Sequence, residues 1–196
     1  MSEDRYGKYK SVHKRFTRWA KKGIWEKIFK HLIKDRDNEY LMIDSTIVKA
    51  HQQAATFKDQ ALGRSRGGLT TKIHMMCDAL GLPVKFILTT GESSDFGQAI
   101  PLLENEEPNY VLADRGYDSD EIIDYIKQIH AIPVIPPRSN RIIKRDYDHI
   151  IYRERNLIER LFNRLKQFRK IATRFEKIQI NFEALIYLAS SYLWLI

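Results

Sequence analysis

Tyr152, Arg155, Glu159 and Lys166 bring a phenol, a guanidinium, a carboxylate and an ammonium into one helical stretch. At roughly 100° per residue, their spacing places all four on an arc about 60° wide. Such a stripe suits a charged ligand. A solvated face with an Arg155–Glu159 pair at i,i+4, worth roughly 0.2–0.5 kcal/mol, is the plainer alternative. Two upstream aspartates weigh against it. Asp44 interrupts the apolar run Leu41-Met42-Ile43-Asp44-Ser45-Thr46-Ile47-Val48, where an unpaired ionised carboxylate is costly. Asp114 closes Val111-Leu112-Ala113-Asp114, and open α/β folds bind ligands at the ends of their strands. Either aspartate could instead open a turn.

If Asp44, Asp114 and Glu159 meet, their mutual repulsion dominates. Two carboxylates ~4 Å apart cost about 4 kcal/mol at an effective dielectric of 20. Either a pKa rises or a cation enters. A site of oxygen donors, without histidine or thiolate, favours Mg²⁺ or Mn²⁺. Two such ions on three carboxylates suit in-line attack on a phosphodiester. The charge balance agrees, since 33 Lys+Arg against 25 Asp+Glu give +8 and favour a polyanionic partner, nucleic acid first. Arg64, Arg66 and Lys72 lie in the glycine-rich run 63–72, which suits contacts tracking a DNA backbone. A flexible hairpin with incidental charge is the alternative there. The run is no nucleotide-binding P-loop, because no Gly-Lys-Ser/Thr closes it. Asp118, three residues before Glu121, fits a helix N-cap with its capping partner and is expected to be structural.

Composition narrows the field. At 196 residues and 43% hydrophobic content the chain can hold one well-buried core. The single cysteine, Cys77, excludes an intramolecular disulfide and a Cys-rich zinc site. The six histidines show no HExxH or other close ligand pairing. Residues 1–15 are charged, unlike a signal peptide. The longest uncharged stretch, 184–196, falls short of the ~17–25 residues of a membrane helix. A cytoplasmic, nucleoid-associated protein with no membrane partner is expected.

Elements must position these residues. Residues 9–33 read as two basic amphipathic helices broken at Gly23, whose apolar stripes must dock on the main body or on a partner. Tyr40–Lys49 is a strand, 51–69 a long polar loop, and Thr71–Asp78 with Pro83–Thr90 a hairpin. A helix over 95–103, a strand over 110–113, a helix over 118–130 and a strand over 132–135 follow. A long basic helix through Glu159 and an apolar core helix, which Asn181 or a neighbour can start, end the chain. This order predicts an α/β fold, a mixed sheet flanked by helices.

Together, Asp44 in a strand, Asp114 in Ala-Asp-Arg-Gly-Tyr, and Tyr152-x2-Arg155-x3-Glu159-x6-Lys166 resemble bacterial insertion-sequence transposases of the DDE type. Ser65-Arg66-Gly67-Gly68-Leu69-Thr70-Thr71-Lys72-Ile73-His74 resembles them too. The resemblance covers about residues 10–196. It implies a ribonuclease-H-like catalytic domain over 39–196, preceded by a partial helical DNA-binding segment over 1–38. It implies that Asp44, Asp114 and Glu159 bind two catalytic divalent ions, and that Tyr152, Arg155 and Lys166 contact DNA. The expected reaction is cleavage at the terminal inverted repeats of the element, then strand transfer into target DNA by a homodimer. Members of this family usually carry a longer helical region before the core, so the chain is expected to begin partway through it. That leaves two other readings: a metal-dependent nuclease that cuts without joining, and an inactive DNA-binding remnant.

Overall fold

The structure is a computed structural model that describes residues 7–54, 60–65 and 67–196. Its centre is β1 (Tyr40–Ala50), whose alternating apolar side chains feed both faces of a sheet. β1 pairs antiparallel with β3 (Gly68–Cys77), which returns through a tight turn into β4 (Pro83–Thr90). On its other side β1 runs parallel to β5 (Tyr110–Leu112), which runs parallel to β6 (Ile132–Val134). Short strands complete the sheet: β2 (Gly63–Ser65) pairs with the start of β3, and β7 (Thr173–Arg174) with the end of β1.

Eight helices lie among the described residues: α1 (Tyr9–Lys21), α2 (Ile24–Leu32), α3 (Ala99–Leu103), α4 (Asp120–Gln128), α5 (His149–Tyr152), α6 (Asn156–Lys166), α7 (Arg169–Ala172) and α8 (Gln179–Leu193). Period-2 alternation sorts the core. Met42, Val48, Ile73 and Met75 meet Leu161 of α6 and Phe182 of α8 on one face. Leu41, Ile43 and Met76 meet Leu102 of α3 and Ile122 of α4 on the other. The sheet is thus covered on both sides, which is why its central strands are apolar almost throughout.

The two basic helices dock on this body. Phe29 is buried, its ring 5.5 Å from that of Tyr187 on α8. Trp25 closes the pair, its ring tilted against those of Trp19 at 5.2 Å and Phe16 at 5.7 Å. Gly23 sits between them at φ +63°, a left-handed position that a side chain would strain.

Three expectations need correcting. The stretch 51–69 is not all loop, since Gly63–Ser65 forms β2 against the start of β3. Asp118 does not cap α4. Ser119 does, its hydroxyl accepting from the Ile122 N–H at 3.1 Å, and the helix starts two residues later than expected. The basic helix is also not one α-helix: a 3₁₀ turn, Arg153–Arg155, separates α5 from α6. Asp148 starts this unit by accepting from the Ile150 and Ile151 N–H groups.

Candidate active site

Register places the first two carboxylates. Met42 pairs with Leu112 across β1 and β5. Two residues further along each chain stand Asp44 and Asp114, with the same parity and so on the face covered by α6. Asp44 is half-buried. Its Oδ1 accepts from the Ser45 N–H at 2.7 Å and its Oδ2 from Arg155 Nη1 at 2.9 Å. Asp114 lies just past β5, where its Oδ1 accepts from the Gly116 N–H at 2.7 Å. A Cβ on residue 116 would lie 2.8 Å from that same oxygen, so the glycine keeps room for the carboxylate.

Glu159 reaches the group from α6, and its Oε1 accepts from Arg155 Nη2. One guanidinium therefore bridges Asp44 and Glu159, on elements far apart in sequence. The bridge is partly sheltered, with the Arg155 and Asp44 side chains 18% and 21% exposed. Burial pushes the Asp44 carboxyl up and the Asp114 charge adds to this, while the Ser45 N–H and Arg155 pull the other way. Burial opposes the Arg155 charge, but Asp44, Tyr152 and Glu159 outweigh it and raise its pKa.

Beside these carboxylates is Tyr117, buried, with its hydroxyl unpartnered. Burial raises its pKa, and Asp44, Asp95 and Asp114 raise it further. On the opposite face of β1, the Ser45 hydroxyl donates to Asp95 Oδ1 at 2.7 Å. That oxygen also pairs with Lys72 Nζ at 2.9 Å and faces His74 Nδ1 at 3.8 Å. His74 is fully buried, its Nε2 2.8 Å from the Thr89 hydroxyl. Burial, with the Lys72 charge beside it, lowers its pKa to about 4 despite Asp95.

A further cluster fixes the chain after β6. Asp118, its side chain 1% exposed, accepts from the Arg138 N–H at 2.8 Å, Arg141 Nε at 2.9 Å and Arg145 Nη1 at 2.6 Å. Arg138 Nη2 in turn donates to the Gly116 carbonyl at 2.7 Å. The loop over 136–148 is thereby tied to the turn that carries Asp114.

The structure thus brings Asp44, Glu159 and Arg155 into contact and puts Asp114 on the adjoining strand end. Tyr152 lies alongside, its ring 5.9 Å from the Arg155 guanidinium carbon and edge-on to Tyr147 at 5.4 Å. Lys166 is exposed at the far end of α6, and Arg64 is exposed on β2. Arg66 lies outside the described residues. Lys72, expected on DNA, is placed differently: its side chain is 10% exposed, and its ammonium is held by Asp95 and the Ser93 carbonyl. The β-strand period turns it inward under the 91–96 loop, so it organises the site's flank rather than meeting solvent. Asp95, Tyr117 and the Asp118–arginine cluster went unread as parts of the site. Parity on β3, which puts Lys72 and His74 on one side, was the signal available for Asp95. Nothing local marks the partners of Asp118.

The donor set of the three carboxylates suits a hard divalent cation, being all oxygen. Among the described residues no three His, Cys, Asp or Glu side chains yet converge closely enough to hold one. A cation already stands between two of the carboxylates: the Arg155 guanidinium, whose charge fits the same demand.

Two carboxylates on neighbouring strands thus lie beneath a helix-borne glutamate on a mixed sheet. Residues 35–194 match the family model of the transposase DDE domain, and the chain belongs to the insertion-sequence DDE transposases, enzymes acting on DNA. It is 38% identical over 132 residues to a putative transposase for insertion sequence element IS6501 from Brucella ovis, covering 65% of this chain and 99% of that one. It is 30% identical over 126 residues to a putative transposase for IS402 from Burkholderia cepacia, covering 58% of this chain but only 56% of the relative. The fold resembles the piggyBac transposase solved as a synaptic complex with hairpin DNA, with a TM-score of 0.53 and 13% identity, over 87% of this chain and 48% of that one. The architecture is therefore ribonuclease-H-like. No helix among the described residues is long and apolar enough to cross a membrane.

Proposed function

We propose that this transposase cuts DNA at the terminal inverted repeats of its insertion sequence and joins the freed end to target DNA, with Asp44, Asp114 and Glu159 as its catalytic residues. The observation that carries the assignment is the convergence of Asp44 and Glu159 on one guanidinium, with Asp114 next along the sheet edge. These three would hold Mg²⁺ or Mn²⁺, as two ions. Bound there, the metal supplies activation of the attacking hydroxyl and stabilisation of the leaving oxygen.

The chain's own side chains supply the rest. Arg155 offers two parallel N–H donors, which match a phosphate as well as a carboxylate. Lys166 and Arg64, both exposed, neutralise backbone phosphates farther from the scissile bond. Arg66 belongs to the same basic run. Tyr152 presents a ring on which a displaced base can stack. Residues 1–38 serve as a DNA-binding segment: the exposed Lys10, Lys14 and Arg15 of α1 make one basic face, and the catalytic domain occupies 39–196. Handling two DNA ends together calls for a homodimer on DNA. The protein would work in the cytoplasm, at the nucleoid.

The test uses labelled DNA bearing the element's terminal repeats, with Mg²⁺. Cleavage and joining, both lost in Asp44→Asn, Asp114→Asn and Glu159→Gln, are the expected result. Cleavage without joining would reassign the protein as a nuclease. Binding with no cutting would defeat both enzyme readings.

A further inference from the structure

We infer that Arg155 is a built-in counter-cation that competes with the divalent metal, and that DNA releases it, so that metal and DNA bind cooperatively. This rests on the proposed assignment of Asp44 and Glu159 as metal ligands and adds a linkage between the two ligands.

Three observations carry it. Arg155 donates to Asp44 Oδ2 through one nitrogen and to Glu159 Oε1 through the other, so a single side chain occupies oxygens on both acids. Its backbone lies in the 3₁₀ turn between α5 and α6, which aims the guanidinium back over β1 while Glu159 follows one turn later. Among the described residues, no three candidate ligands converge on a metal position in this arrangement. The arginine satisfies the carboxylates' demand for positive charge and thereby holds them in a spacing suited to itself.

Physical consequences follow directly. A divalent ion needs the oxygens that Arg155 now occupies, so metal must displace the guanidinium. Displacement leaves a half-buried positive charge without its partners, which costs free energy and weakens metal binding. A DNA phosphate removes that cost, because its two non-bridging oxygens also pair bidentately with a guanidinium. The metal-free, DNA-free protein is then a closed state and the doubly loaded protein an open one. Each ligand must raise the affinity of the other by the same factor, since the two bindings close one thermodynamic cycle. The design also limits idle hydrolysis, because the metal is held weakly until a phosphate backbone lies across the site.

The experiment titrates Mn²⁺ into the full chain and follows free Mn²⁺ by electron paramagnetic resonance. It is run with and without a saturating duplex carrying the terminal repeat, with the Asp114→Asn/Glu159→Gln double variant as the blank for Mn²⁺ held by DNA alone. Wild-type affinity should rise about tenfold when DNA is added, within the usual range of coupling between sites. Arg155→Gln should bind Mn²⁺ about tenfold more tightly than wild type without DNA, and should gain less than about threefold from DNA. Arg155→Lys keeps the charge but reaches only one carboxylate at a time, so its affinity should fall between the two. It also serves if the glutamine variant fails to fold. Mn²⁺ affinity in Arg155→Gln or Arg155→Lys no tighter than wild type overturns the exchange, as does an equal DNA effect in all three. A different failure is separable: if the double variant binds Mn²⁺ as wild type does, the carboxylate assignment itself is wrong.

Discussion

Replacing Asp118 with alanine should destabilise the protein well beyond an ordinary surface change. The carboxylate is buried and takes three hydrogen bonds, from the Arg138 N–H, Arg141 Nε and Arg145 Nη1. Hydrogen bonds to a charged group contribute roughly 1.5–3 kcal/mol each, so the gross loss is large. Much of it is recovered. Arg141 and Arg145 also pair with Asp120, and their side chains, 21% and 26% exposed, reach water. What stays uncompensated is the Arg138 N–H and the emptied pocket, for a net loss of about 2–3 kcal/mol. In a chain of this size that lowers Tm by about 5–10 °C. Thermal unfolding followed by circular dichroism reads it directly. Acid supplies a second check. Burial alone would raise the Asp118 pKa, but the Arg138 N–H and the two arginines more than offset it and hold the carboxyl below its usual range. Its stabilisation is therefore complete above about pH 4 and disappears as pH falls through the lower folded value. The gap between wild type and Asp118→Ala should narrow on acidification. A Tm change under about 2 °C at pH 7, or a gap that persists unchanged at pH 2–3, would refute this account of the loop's anchor.

Two further outcomes are expected. His74 is buried neutral, with a pKa near 4 in the fold against about 6.5 when unfolded, so the unfolded chain takes up the extra proton between those values. Stability should fall as pH drops from about 6.5 to 4, and His74→Gln should flatten that dependence; equal losses of urea midpoint in both proteins between pH 7 and pH 5 would contradict it. Gly91 and Gly63 should respond differently to alanine. A Cβ on Gly91 would fall 1.8 Å from the Thr70 hydroxyl oxygen and 2.7 Å from Thr70 Cβ, and Thr70 is buried, so a strand must shift. On Gly63 the obstacle is the Glu92 carboxylate at 1.9 Å, the free end of a flexible side chain. Gly91→Ala should cost about 1–3 kcal/mol and Gly63→Ala much less, measured by denaturant unfolding; similar values for the two would show that the Thr70 contact does not set the cost.

How much of this was legible in advance depended on the range of the interaction. Strand Tyr40–Lys49 and hairpin Thr71–Thr90 follow from apolar alternation and a short glycine turn, and they form nearly where expected. That Asp44 and Glu159 belong to one site was expected from the resemblance carried by Tyr152, Arg155, Glu159 and Lys166. The bridge through Arg155 was not, because the helix wheel shows Arg155 and Glu159 as neighbours while a strand partner 111 positions away leaves no local trace. Asp118 failed for the opposite reason. Local pattern gave it a good capping role, and Ser119 took that role once three arginines from a distant loop claimed the carboxylate. Lys72 was misjudged because basic residues near glycines look exposed, whereas strand parity and the covering 91–96 loop turn it inward.

The bond between Arg155 and Asp44 closes a span of 111 positions, and the shared face of the site needs both ends of it. During synthesis the strand bearing Asp44 leaves the ribosome well before the helix bearing Glu159. At about 5–20 residues per second, the gap is roughly 5–20 s. Throughout that interval the growing polypeptide carries its two basic helices and Asp44 but not yet Arg155 and Glu159. The Asp44 carboxylate is therefore made long before its counter-cation, and the site closes only once the later helices have emerged.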